Sequence, residues 1–146
     1  METILTDQGR WLLRLGIGLL VAVSLEGFVI PSLGSPRLGL SAHNLGGLQS
    51  VLLLVLGLVW PQLQLGPAAS RTAFWLLIYS TFAILLAYVL GAAWGAGNET
   101  MPLAAGAAHG SAVQETLIRL IAYSSALTGL IGFALMLWGL RAGAPA

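Results

Sequence analysis

Cysteine is absent from the chain, and charge is scarce: five acidic and six basic residues stand among 146. Without cysteine there are no disulfides, no thiolate nucleophile and no cysteine-ligated zinc or iron–sulfur site. Charged residues make up 8% of the chain, against roughly a quarter in an average soluble domain. So few polar groups cannot cover a water-facing surface, and lipid must cover most of it. A net charge of +1 with no run of basic residues provides no field for a polyanion, which excludes nucleic acid as a partner. Also missing are an HExxH motif, a phosphate-binding glycine loop, a nucleophile elbow and any Ser/His/Asp set.

What is present is apolar: 58% of the residues are hydrophobic and the mean hydropathy is +0.90. Four spans approach the roughly 20 residues that cross a bilayer as helix, at about 11–30, 44–60, 72–94 and 117–140. Pro31, Pro61 and the segment GAGNETMP end the first three, and Ser111 with Gln114 has capping-box spacing ahead of the fourth. The predicted fold is all-α, a single integral membrane four-helix bundle. Glu26 interrupts the first span and no small-residue cleavage pattern follows it, so that span reads as a retained helix rather than a signal peptide. The segment between the third and fourth spans is long for a small bundle, and long loops often cover sites.

Every basic residue is an arginine. Four helices place Arg10, Arg14, Arg71 and Arg141 on one side, and Arg37 and Arg119 on the other with Glu99 and Glu115. The excess of positive charge then puts both termini in the cytoplasm. Trp11, Trp60, Trp75, Trp94 and Trp138 all fall near span ends, as interfacial anchors do.

The stretch SAHNLGGLQS, residues 41–50, places polar groups at the mouth of the second span. If that helix begins near Ser41 or Ala42, His43 lies in its first turn, with Gly46 and Gly47 on the same face. The flat surface beneath the imidazole admits either a neighbouring helix at close range or a planar macrocycle whose iron the histidine ligates. Zinc would want three or four ligands, whereas heme needs one axial histidine. Glu26 is read as an interfacial group near Arg37, or as a group facing a cavity. Glu115 and Arg119, at i,i+4, are read as an intrahelical ion pair. Ser80 and Thr81 are read as bonding back to their own helix, and Tyr123, Ser124, Ser125 and Thr128 as bonding between helices. Tyr79 and Tyr88, nine residues apart, point to different surroundings. His109, in a glycine- and alanine-rich loop, reads as a surface residue.

The order PRLGLSAHNLGG, GLVWPQLQL, AAWGAG, MP and GSAVQE resembles the hydroxylaminobenzene mutases, small four-helix bacterial membrane proteins, from the first span to the end of the fourth. More distantly the chain resembles the styrene oxide isomerases, in which a histidine preceded by alanine, as in Ala42-His43, is the axial ligand of a heme b in a trimeric membrane assembly. Pro61, Arg71 and Tyr88 match that family too. Gln49 stands where it has asparagine, and Ser80 where it has an acid, which argues against epoxide opening.

The resemblance implies an isomerase that converts an arylhydroxylamine to a 2-aminophenol by redox-neutral hydroxyl transfer. Heme b would be ligated by His43, with Gly46 and Gly47 letting the porphyrin approach. Tyr88 and Gln49 would hydrogen-bond the migrating oxygen or the amine. Gln49 lies on another side of the helix from His43, so both reach one pocket only between subunits or through a distorted helix. The implied assembly is a homotrimer in the bacterial inner membrane with sites near subunit interfaces. The alternatives are an epoxide-to-aldehyde isomerase with the same cofactor, or a non-enzymatic scaffold subunit whose glycines only pack helices.

Overall fold

The computed structural model of the chain describes residues 5–141, and among them secondary structure is entirely helical. Helix α1 runs Asp7–Glu26, α2 Pro36–Val59, α3 Pro67–Trp94, the short α4 Pro102–Ala105, and α5 Ala112–Gly139. The four long helices are each long and apolar enough to cross a bilayer, which fits a multi-pass membrane protein. At 28 residues α3 and α5 are about 42 Å long, so their ends pass beyond a hydrocarbon core of about 30 Å unless they tilt.

Helix starts are set by caps rather than by the first apolar residue. Thr6 accepts the Gly9 N–H at 3.1 Å and opens α1. Ser35 and Gly66 are the caps before Pro36 and Pro67, where a proline at the first position loses no intrahelical bond. Ser111 and Gln114 form the expected capping box, which starts α5 at Ala112 rather than near 117. Because α2 begins at Pro36, well before residue 44, His43 lies two turns inside the helix and not in its first turn.

Helix α1 packs along α2 and α3 along α5, and the two hairpins meet across α2 and α3. The first hairpin closes on glycine. A Cβ added at Gly9 would lie 2.8 Å from the Gly57 carbonyl oxygen, and one at Gly57 would lie 2.8 Å from the Gly9 carbonyl oxygen. One added at Gly16 would reach the Ser50 carbonyl at 3.0 Å. In the second hairpin Ser80 Oγ donates to the Ser125 carbonyl and Ser125 Oγ to the Ser80 carbonyl, each at 2.9 Å. Gly129 makes room for Ser80 and Gly132 for Leu77. Ser80 therefore bonds across helices rather than along its own, as does Thr81. Thr128, expected to bridge helices, bonds back to its own.

Polar ties secure the two ends of the bundle. At the end holding Arg10 and Arg71, Gln8 Oε1 accepts from Trp60 Nε1 at 3.0 Å and from Ser70 Oγ at 2.8 Å. Trp60 is thereby buried, in edge contact with Phe74, and is not an interfacial anchor; Trp11, Trp75, Trp94 and Trp138 remain exposed. At the other end the crossover from α3 to α5 folds inward on Glu115, which is 2% exposed. Its carboxylate accepts the N–H groups of Gly97 at 2.8 Å, Gly110 at 2.9 Å and Glu99 at 3.3 Å. Arg119 pairs with Glu99 at 3.2 Å instead of with Glu115, so the expected i,i+4 ion pair is replaced by a loop anchor. Gly95 turns the chain out of α3 at φ 63°, a conformation that costs glycine little.

Replacing Glu115 with alanine leaves three backbone donors without their acceptor, at about 1–3 kcal/mol each. The expected result is a fall in stability of at least about 3 kcal/mol on unfolding in mild detergent, with a smaller fall for Glu115→Gln, which keeps an acceptor oxygen.

Candidate functional site

The α2 segment from Arg37 to Ser50 touches both α1 and α3, and its side chains divide by direction. Ala42, Gly46 and Ser50 are buried; Leu40, Asn44, Leu48 and Val51 are exposed. His43 and Gly47 lie at the border between the α1 contact and the exposed strip, about 40° apart around the axis. The edge of the His43 ring rests on the end of α1: the position a Cβ would take at Gly27 is 3.3 Å from its Cε1 and 3.7 Å from its Nδ1. Nδ1 is buried without a hydrogen-bond partner.

The two glycines one turn farther along α2 than the histidine do different work. A Cβ at Gly46 would collide with Val23 of α1 and touch Leu85 of α3 at 3.6 Å, so this glycine packs helices together and leaves no surface for a macrocycle. At Gly47 nothing lies within 4 Å, and the space one turn beyond His43 is open. The close-packing reading holds for Gly46, and only Gly47 offers a flat open approach.

Gln49 lies about 9 Å along α2 from His43 and about 120° around it, on the face that meets α3. There Thr81 Oγ1 donates to its Oε1 at 3.3 Å, which leaves the amide N–H groups of Gln49 out of that bond. Tyr88, seven residues after Thr81, is on the same face of α3, half-buried against the cluster around Leu38 and Ile118. The antiparallel pairs Gln49 with Thr81, Gly46 with Leu85 and Leu38 with Gly91 place Tyr88 level with Ala42, one residue from His43. Tyr79 points the other way, to Ser124 of α5 at 2.8 Å. Within one chain, then, Gln49 and Tyr88 share the α2/α3 face, while His43 stands at the same depth as Tyr88 on the neighbouring flank.

Other candidates take structural places. Arg37 donates to the Leu103 carbonyl at 2.6 Å and ties α2 to the crossover, so it does not pair with Glu26. His109 is exposed, as expected of a surface residue. Among the described residues no three His, Cys, Asp or Glu side chains gather as a metal site would require. A groove of about 450 Å³ lined by Trp11, Leu15, Phe74, Trp75 and Ile78 lies toward the opposite end of α1, about 24 Å from the ring by helical rise, and holds no ionisable side chain.

This geometry sets one imidazole at the border of an exposed strip, against the end of α1 that Glu26 closes, with a hydroxyl and an amide on the adjoining face. It suits orientation and polarisation of a small uncharged molecule. Residues 8–141 match the family model described as styrene oxide isomerase, and the chain belongs to this isomerase family and is an enzyme. Across its whole length it is 49% identical to hydroxylaminobenzene mutase HabB of Ectopseudomonas oleovorans, covering 90% of that protein. It is 36% identical to hydroxylaminobenzene mutase HabA of the same organism, over 85% of this chain and 87% of that one. No solved structure gives a match. The residues quoted for the resemblance divide accordingly: Gly95, Gln114 and Glu115 build the crossover, whereas the phrase around His43 leaves an open face.

Valine at position 46 is expected to destabilise the protein by about 1–3 kcal/mol, the usual cost of overpacking, as read by thermal unfolding in detergent. Gly47→Ala is expected to leave stability unchanged or raise it by up to about 1 kcal/mol, since alanine is the better helix former and nothing opposes its methyl group.

Proposed function

We propose that the chain is a membrane isomerase that converts an arylhydroxylamine such as hydroxylaminobenzene to a 2-aminophenol. The observation that carries this reading is 49% identity along the full chain to a protein named hydroxylaminobenzene mutase. In the reaction an N–O bond breaks, a C–O bond forms at the ortho carbon, and the proton lost from that carbon ends on nitrogen. Substrate and product are isomers, and no external oxidant or reductant is consumed.

The residues present fit a heme b held by His43 alone, because the donor set is a single imidazole and the adjacent space over Gly47 is open. When bound, ferric heme would supply a Lewis acid that polarises an N–O bond without net electron transfer. Gly46 takes no part in holding it. The Tyr88 hydroxyl and the free amide N–H groups of Gln49 hydrogen-bond the migrating oxygen or the amine. The leucines and valines around them hold the aryl ring and exclude competing nucleophiles.

His43 and Gln49 face different flanks of α2, so a site using both is completed by a second copy of the chain. That supports an oligomer with its sites near the subunit interfaces, a homotrimer by resemblance to the family. The arginines at the end shared by α1, α3 and the close of α5 support a cytoplasmic location for both termini in an inner membrane.

A second reading, isomerisation of an epoxide to an aldehyde, is favoured by the family model itself. It is the weaker reading because Ser80 is committed to Ser125 and offers no acid at that position. Purified protein is expected to turn phenylhydroxylamine into 2-aminophenol and to leave styrene oxide unchanged; turnover of the epoxide alone would overturn the substrate assignment. His43→Ala is expected to abolish the Soret band and to lower kcat/KM by at least about 100-fold. Tyr88→Phe, with the band intact, is expected to lower kcat by about 100-fold, the scale of a lost hydrogen-bond donor to developing charge.

A further inference from the structure

The His43 ring raises a question that iron ligation leaves unanswered. A buried imidazole nitrogen without a partner is costly, and native structures almost always satisfy such atoms. Nδ1 of His43 is such an atom. It faces the last turn of α1, where Gly27 lets the ring approach within van der Waals contact and where the Ser24 carbonyl also lies close to the Gly27 position. The C-terminal end of a helix is its electronegative end and favours an N–H pointed at it.

Glu26 is the residue next to Gly27. It is half-buried, closes α1, and lies within electrostatic range of the His43 ring. Among the described residues the ion pairs are Arg10 with Asp7 and Arg119 with Glu99, so Glu26 is not neutralised by an arginine. An ionisable group at the end of an apolar span requires a partner or water. A ring nitrogen without a partner thus lies against the end of the helix that Glu26 closes, and no arginine holds the Glu26 carboxylate elsewhere.

We propose that Glu26 is the positioning residue of His43: its carboxylate accepts the Nδ1–H, fixes that tautomer, and leaves Nε2 bare. In histidine ligands the hydrogen bond made by one ring nitrogen decides which nitrogen is left to bind. Glycine at position 27 suits this contact, since an added Cβ would lie 3.3 Å from the ring's Cε1 and would require the ring to shift by a few tenths of an ångström. The proposal rests on the preceding reading only for what Nε2 ligates; the tautomer itself needs no iron.

The test uses full-length protein in detergent, labelled with 15N-histidine in a His109→Ala background so that one ring remains. The expected spectrum shows the proton on Nδ1 and a bare Nε2; in Glu26→Ala the proton shifts toward Nε2, and Glu26→Gln, which keeps an acceptor oxygen, lies between. In titrations of the same proteins with heme, Glu26→Ala is expected to weaken binding about 10- to 100-fold, the usual effect of removing a partner of a ligating histidine. A proton on Nε2 in the unmutated ring, or a tautomer and heme affinity unchanged in Glu26→Ala, would overturn the proposal. Should the unmutated protein bind no heme, the cofactor assignment falls, while the nitrogen spectrum still decides the role of Glu26.

Discussion

Apolar helices gain little by leaving lipid for one another, because an acyl chain is as apolar as a leucine. What holds them is close fit and the few hydrogen bonds that close fit permits. In this chain that constraint is met first at Gly9 and Gly57, whose backbones approach so nearly that neither position has room for a methyl group. Gly16 and Gly46 continue the contact along α1 and α2, and Gly129 and Gly132 repeat it between α3 and α5. The serine exchange between residues 80 and 125 exists only because Gly129 lets the two helices come that close.

The placement of His43 follows from the same fit. With α1 drawn against α2 through glycine, the end of α1 arrives at the imidazole, and Gly27 completes the contact. The ring is therefore held on one edge by the chain's own backbone and free on the other. Helix α2 is the element shared by both hairpins, so one of its faces is committed to α1, one to α3, and the remaining strip to lipid or a second copy. A histidine at the border of that strip is fixed by the core yet accessible from outside it. Gln49 belongs to the side of α2 that meets α3, where Tyr88 also lies, so His43 and Gln49, six residues apart on one helix, are close in sequence and divided in space.

Much of this architecture was legible in the sequence. Long apolar runs reveal membrane helices because lipid tolerates no unpaired backbone, and the Ser111–Gln114 spacing marked its cap correctly. The division of the arginines between two ends also survives in the fold. Helix starts were less legible: hydropathy registers what touches lipid, whereas α2 and α3 begin at Pro36 and Pro67, in polar or small residues that a capping residue followed by proline would have signalled. Trp60 and Glu115 were misjudged for one common reason. Each bonds to a partner distant in sequence, Gln8 in one case and the amides of 97 and 99 in the other, and no local pattern announces such a partner. At the site, helical arithmetic correctly set Gln49 apart from His43, but it could not tell Gly46 from Gly47. Only the position of Val23 on another helix separates them.

The Glu115 carboxylate has a consequence for motion. It gathers amides from both limbs of the crossover, near residue 97 at the exit of α3 and at residue 110 before α5, while Arg37 grips the middle through the Leu103 carbonyl. Loosening either limb exposes an acceptor on which the other depends, so the segment opens as a single cooperative unit and not by gradual fraying. A bundle end sealed this way leaves the exposed flanks of the helices, and not the crossover, as the approach to the face around His43.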